Sequence, residues 1–147
     1  MSFEIRLERL LDTTAEVAFH HWIDAAERRG WYGGDEADWT VEAETDLRVG
    51  GRYRVAWSPS PDRMYRAEGS FEVVDPPHRL VYTSKWTPAP ADAAPAVDLL
   101  VTVTFADRGG KTLLTLVETG YPSAEVRDLF LTFVPGGLRY YERSLPS

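Results

Sequence analysis

Two strand–turn–strand phrases constrain the fold of this chain more than any other feature. Residues 46–54 read DLRVGGRYR, and residues 69–83 read GSFEVVDPPHRLVYT. In each, β-branched or aromatic residues alternate with charged ones, the period-two pattern of a half-buried strand. The alternation stops at Gly50-Gly51 in the first phrase and at Asp75-Pro76-Pro77 in the second. Glycine supplies backbone angles that other residues avoid, and proline fixes φ and has no N–H for the ladder. Both breaks therefore join neighbouring strands.

The same period recurs along most of the chain. Phe3, Ile5 and Leu7 share one face of a first strand, with Glu4, Arg6 and Glu8 on the other. Trp39, Val41 and Ala43 alternate with Thr40, Glu42 and Glu44; Tyr53, Val55 and Trp57 follow the Gly-Gly break. After a loop over 58–63 come Tyr65, Ala67, Gly69, Phe71 and Val73, then Leu80, Tyr82, Ser84 and Trp86. Val97, Leu99, Val101, Val103 and Phe105 form another strand, which turns at Gly109-Gly110 into 111–118. Seven strands in chain order, joined mostly by short turns, predict an antiparallel meander.

Helical spacing is confined to two places. Thr13 or Thr14 offers an N-cap for a helix over 14–25, with Val17, Ala18, Trp22 and Ala25 as its apolar stripe. Arg28 to Trp31 reads as a second short helix before Gly33-Gly34. The last segment, 123–145, has Ser123 as N-cap and Glu125 and Asp128 near the positive end of the helix dipole. Val126, Leu129, Phe130 and Phe133 line one face; Pro135-Gly136-Gly137 then interrupts the helix by a kink or a break, before Leu138, Tyr141 and Leu145. Residues 87–96, TPAPADAAPA, read as a flexible connection.

Bulk properties bound the function. A chain of 147 residues suits one domain, 1–147. It has no cysteine, which excludes disulfides, thiolate catalysis and zinc–sulfur sites. No apolar run approaches the roughly 18 residues of a membrane span, and no leader pattern opens the sequence, so a cytoplasmic location is expected. The net charge of −7 and pI near 4.9 argue against a nucleic-acid partner.

Catalytic constellations are scarce. His20 and His21 are adjacent and point about 100° apart on a helix, so they cannot chelate one metal as an i, i+4 pair would. His78 follows the double proline of a turn, and structural or solvent roles are expected for all three histidines. There is no G-x-S-x-G nucleophile elbow, and the Gly-Gly pairs contain no phosphate-binding fingerprint. Neither a cofactor nor a metal is expected. No buried acid–base pair is evident.

The order of elements, together with particular phrases, resembles a known superfamily. The phrases are Trp22-Ile23-Asp24, Trp31-Tyr32, DLRVGGRYR, EGSFEVVDPPHRLVYT and VTVTFADRGGKTLLTLVETG. With them the chain resembles the START-like, helix-grip (SRPBCC) superfamily, and within it the family named for the activator of heat-shock-protein-90 ATPase. The resemblance implies an α+β helix-grip fold: a curved antiparallel sheet of about seven strands wrapped around a long C-terminal helix, with two short helices after the first strand. Two departures bear on pocket shape. Gly137 is followed by Leu138 where the family often has Gly-Trp, and Asp62 by Arg63 where a turn commonly ends in Asp-Gly.

The fold also implies a space between sheet and helix, either filled by side chains or open to a ligand. Five Trp, seven Tyr and six Phe could serve either role. The lining expected from the apolar phase is Val41, Tyr53, Val55, Trp57, Tyr65, Phe71, Tyr82, Trp86, Leu99, Val101 and Val103, with Leu129, Phe130 and Phe133 facing it from the helix. Ser84 and the hydroxyls of Tyr53, Tyr65 and Tyr82 are its polar groups, while Arg52, Arg54, Glu68 and Glu72 fall on a solvated outer face. The leading expectation is the binding of a hydrophobic or aromatic small molecule. A cyclase- or hydratase-type enzyme using the same pocket and a co-chaperone-like interaction module with a protein partner are the alternatives, and a homodimer stays open.

Overall fold

In the computed structural model, residues 3–23, 40–60, 63–87, 95–132 and 134–145 are described. The elements are β1 (Phe3–Leu11), α1 (Ala15–Ile23), β2 (Thr40–Thr45), β3 (Arg52–Ser60), β4 (Arg63–Asp75), β5 (Arg79–Thr87), β6 (Val97–Arg108), β7 (Lys111–Tyr121), α2 (Ala124–Phe130) and α3 (Val134–Ser144). The seven strands form one curved antiparallel sheet in the order β1-β7-β6-β5-β4-β3-β2. Strands two to seven are a plain meander. The first strand closes back on the last, pairing Leu7 with Leu116.

Turn chemistry sets the meander. Gly50 has φ +83°, and a Cβ on Gly51 would collide with the Asp46 carbonyl oxygen, so the β2–β3 turn needs both glycines. The β4–β5 turn contains a cis Pro76–Pro77 peptide. The loop expected over 58–63 is shorter: β3 continues to Ser60 and β4 begins at Arg63, with Ser60 opposite Arg63. The register shifts between Trp57 and Ser60, where Pro59 has no N–H to offer the ladder.

Two further irregularities change which side chains face inward. A register shift follows Phe71, so that Val74, opposite Leu80, packs on the core instead of continuing the phase through Val73. A second lies at the end of β7, where Phe3 pairs with Tyr121 but Glu4 with Thr119. Gly120, at φ +115°, is the extra residue there, and it turns Tyr121 to the inner side.

The helices cover one face of the sheet. Thr14 caps α1, its hydroxyl accepting from Val17 N at 3.3 Å. Ala18, Phe19, His21, Trp22 and Ile23 of α1 are buried, so Phe19 joins the stripe and Val17 is only half-buried. The second short helix expected at 28–31 and most of the connection at 87–96 lie outside the described residues. Ser123 caps α2 as expected, accepting from Val126 N at 3.2 Å. The C-terminal helix is broken after Phe130, upstream of Pro135. Pro-Gly-Gly then sits in the first turn of α3, where the missing proline N–H forfeits no helical bond.

The core fills the concave face. Val55, Phe71, Leu80, Val103, Phe105 and Leu114 are closed to solvent beneath Phe19, Trp22 and Tyr141. Burying such side chains contributes about 1.5–3 kcal/mol each. Tyr141 Oη donates to the Ala18 carbonyl at 2.6 Å and ties α3 to α1; Trp22 Nε1 donates to Tyr82 Oη at 3.0 Å and ties α1 to the sheet. On the opposite face, in-register pairs align Glu44, Arg54, Glu68, Lys85 and Asp98 across β2 to β6, alternating in sign at every step. This is the solvated outer face that the sequence places there.

Candidate functional site on the concave face

Burial along the inward phase is graded. At one end, Phe71, Tyr53 and Tyr82 pack ring against ring, with centroids 5.2–5.9 Å apart. Toward the other end, on the same phase, Tyr65, Ser84 and Trp86 are only half-buried. Tyr65 and Trp86 stack at 6.4 Å, and Trp86 meets Phe130 of α2 edge-on at 4.8 Å. Phe130 in turn packs on Tyr121 at 5.2 Å. The incompletely covered end of the concave face is therefore aromatic, with polar atoms set among the rings.

A carboxylate stands on this face. Glu118 continues the phase of Leu114 and Leu116, and its cross-strand neighbours are Ile5 and Val101, both buried. Tyr121 Oη donates to Glu118 Oε1 at 2.8 Å. The Gly120 bulge makes this bond possible, because strict alternation would put a residue three positions on at the opposite face. The second carboxylate oxygen has no hydrogen-bond partner among the described residues. The side chain is half-buried and shares the inward phase of Leu114 and Leu116. Burial pushes the Glu118 carboxyl above its ordinary value of 4.5, partly offset by the Tyr121 hydrogen bond. Tyr121 is pushed upward by burial, the Glu118 charge and the bond it donates, so it remains a protonated donor.

No buried acid–base pair is evident in the sequence, yet the structure brings Glu118 and Tyr121 together on this face. Reading β7 in steps of two from Leu114 would have placed Glu118 inward. The contribution of Tyr121 depends on a bulge that alternation cannot show.

The other expected lining residues divide into groups. Tyr53, Val55, Phe71, Tyr82, Leu99, Val101, Val103 and Phe130 are buried together in the core, and Tyr65, Ser84 and Trp86 border its open end. Leu129 does not face the sheet: it is 39% exposed. Since α2 ends at Phe130, the pair Val126 and Phe130, one turn apart, carries its apolar face. The side chains of Val41 and Trp57, and all of Phe133, lie outside the described residues.

A groove of about 700 Å³ lies on the outer face, bordered by Arg52, Glu68, Ser70, Thr83, Lys85 and Asp98. It sits where the β4–β5 ladder opens beside Gly69, and Thr83 Oγ1 accepts from Ser70 N at 3.0 Å in place of a backbone bond. Wide open, and with cations and anions already opposed in register, it lacks the enclosure that holds a small molecule. The concave face is the better candidate. Among the described residues no cluster of three or more His, Cys, Asp or Glu could hold a metal, and no helix is long and apolar enough to cross a membrane.

Comparison with known proteins bears on the lineage of this arrangement. The family described as activator of Hsp90 ATPase homolog 1-like protein matches residues 12–146. The chain belongs to this family. Three solved structures carry the same fold as this member of the Hsp90-ATPase-activator-like family. A Chromobacterium violaceum protein, 23% identical, superposes with a TM-score of 0.78 over 98% of this chain and 99% of its own. A Rhizobium loti protein, 25% identical, reaches 0.78 over 99% and 98%. One from Mycobacterium smegmatis, 20% identical, reaches 0.70 over 96% and 86%. No functionally curated protein matches. Membership in the family is consistent with a ligand-binding or regulatory module, and the chemistry must come from the site.

Proposed function

We propose that this domain binds a hydrophobic or aromatic small molecule between the concave face of the sheet and the C-terminal helices. The observation that carries this reading is the gradient along the inward phase. Rings fill one end, whereas Tyr65, Ser84 and Trp86 toward the other remain half-buried; Glu118, also half-buried, stands on β7 in the cross-strand row of Val101, Tyr82 and Phe71. A pocket that holds a small molecule combines such apolar walls with a few placed polar groups. Native mass spectrometry of the purified protein beside a denatured control tests for a carried ligand. A mass excess that vanishes on denaturation is the expected result. A bare mass, together with no change in tryptophan fluorescence across a panel of lipids and aromatic compounds, would overturn it.

Glu118 favours a second reading, an enzyme of the cyclase or hydratase kind. A carboxyl held above its usual proton affinity beside a tyrosine hydroxyl suits proton transfer to an oriented substrate. Under that reading Glu118→Gln abolishes turnover of a bound substrate, and unchanged turnover would exclude it.

A further inference from the structure

Among the described residues, the surroundings of Glu118 supply no counter-ion. Its strand neighbours are Ile5 and Val101, and the one side-chain hydrogen bond it accepts from a described residue comes from a neutral phenol. The charged groups on adjoining elements are committed elsewhere or face solvent. Arg6 of β1 is exposed and opposite Val117, and Asp98 of β6 is exposed. On α2, Glu125 is exposed, and Arg127 pairs with Asp128 at 3.0 Å while lying over the Phe3 ring at 5.6 Å. His21 of α1 lies against Tyr141, and Arg139 and Arg143 of α3 are exposed. No ion pair to Glu118 exists among the described residues.

A buried ionised carboxylate without a cation is unfavourable, and whatever supplies one gains strongly. The path from Glu118 runs through Tyr121 to Phe130 and Trp86, whose ring faces also attract cations. A carboxylate at the end of an aromatic wall is complementary to an apolar body that carries one positive charge.

We propose that Glu118 is the cation anchor of the concave pocket, and that its ligand is a hydrophobic amine whose protonated nitrogen donates to the second carboxylate oxygen. This rests on the ligand-binding reading above and names the chemical class. Phenylbutylamine, phenylbutanol and phenylbutyrate share one body and differ in head group, so titrating each against tryptophan fluorescence isolates the anchor. The amine should bind about tenfold or more tighter than the alcohol, as a charge-assisted bond requires, with the acid weakest. Glu118→Gln should bring the amine down to the affinity of the alcohol, its fold checked by near-ultraviolet circular dichroism. In the unmodified protein, acidification that protonates Glu118 should erase the same preference without any mutation. Equal binding of amine and alcohol, or a preference that survives both Glu118→Gln and acidification, overturns the anchor and leaves the pocket standing. Failure of all three probes to bind overturns the pocket and the anchor together.

Discussion

Removing one oxygen atom, by Tyr121→Phe, tests the Glu118–Tyr121 pair most directly. Tyr121 is fully buried, so the ring stays packed on Phe130 and the change deletes only the bond to Glu118 Oε1. Where Glu118 is ionised, that bond is charge-assisted and its loss costs about 1.5–3 kcal/mol; where Glu118 is protonated, about 0.5–1.5 kcal/mol. The cost must therefore depend on pH, and its sign follows from the direction of the Glu118 shift. Because the folded value lies above the ordinary 4.5, the native state holds more protons than the unfolded one between the two. Glu118 then contributes most at or below its ordinary value, and its contribution falls as pH rises through the folded value. Removing the phenol raises the folded value further, since that bond favours the charged form. The penalty of Tyr121→Phe should thus grow with pH and level off once Glu118 is ionised in both proteins. Urea unfolding along a pH series that rises from the ordinary value of 4.5 reads this directly, and in melting temperature each 1 kcal/mol corresponds to about 2–4 °C for a domain of this size. A cost that stays constant along the whole series would refute the argument. So would a double-mutant cycle with Glu118→Gln whose coupling is within about 0.5 kcal/mol of zero.

Three other outcomes follow from the packing. Gly120→Ala should lose about 1–3 kcal/mol in urea unfolding, because φ is +115° and the new Cβ would lie 2.6 Å from the Asp98 carbonyl oxygen; a neutral result would mean that the bulge is not held as described. Phe130→Ala should cost about 3–5 kcal/mol and shift tryptophan emission to the red, since it uncovers Trp86; a loss below about 1 kcal/mol would show that α2 is not docked on the sheet. Arg54→Glu places like charges opposite Glu44 and Glu68, so it should cost up to about 1 kcal/mol for each new pair at low salt and much less near 1 M. A penalty that ignores salt would place its cause in packing.

Period-two alternation made the meander legible, because a sheet with one buried face repeats every second residue. It placed Tyr53, Phe71, Tyr82 and Val103 inward and Arg54 and Glu68 outward. It failed where the backbone leaves strict alternation. The bulge after Phe71 exchanges Val73 for Val74 in the core, and the one at Gly120 delivers Tyr121 to Glu118. The first has no residue that separates it from an ordinary strand; the second carries a signal in Gly120, since an isolated glycine in a strand marks a bulge. Leu129 differs for another reason: the stripe Val126, Leu129, Phe130 and Phe133 needs a helix that runs on to the break at Pro135, whereas α2 stops after seven residues, so its covered face is set by Val126 and Phe130. Glu118 itself is within reach of the alternation rule, but a charged residue at 118 looks like a strand end, whereas β7 continues to Tyr121.

Stability alone gives no reason for a carboxylate at Glu118. An apolar residue of similar length would bury the same surface against Ile5 and Val101 without desolvating a charge, and such replacements are often neutral or stabilising by about 1–4 kcal/mol. The Tyr121 bond recovers part of that deficit, yet it also places a second polar group in the core where phenylalanine would pack equally well. Glu118→Met combined with Tyr121→Phe should accordingly raise stability at neutral pH, measured by urea midpoint, while losing any preference for a cationic ligand. If the double variant is instead markedly less stable, the pair is a structural brace across the Gly120 bulge within β7, and a ligand is no longer needed to account for it.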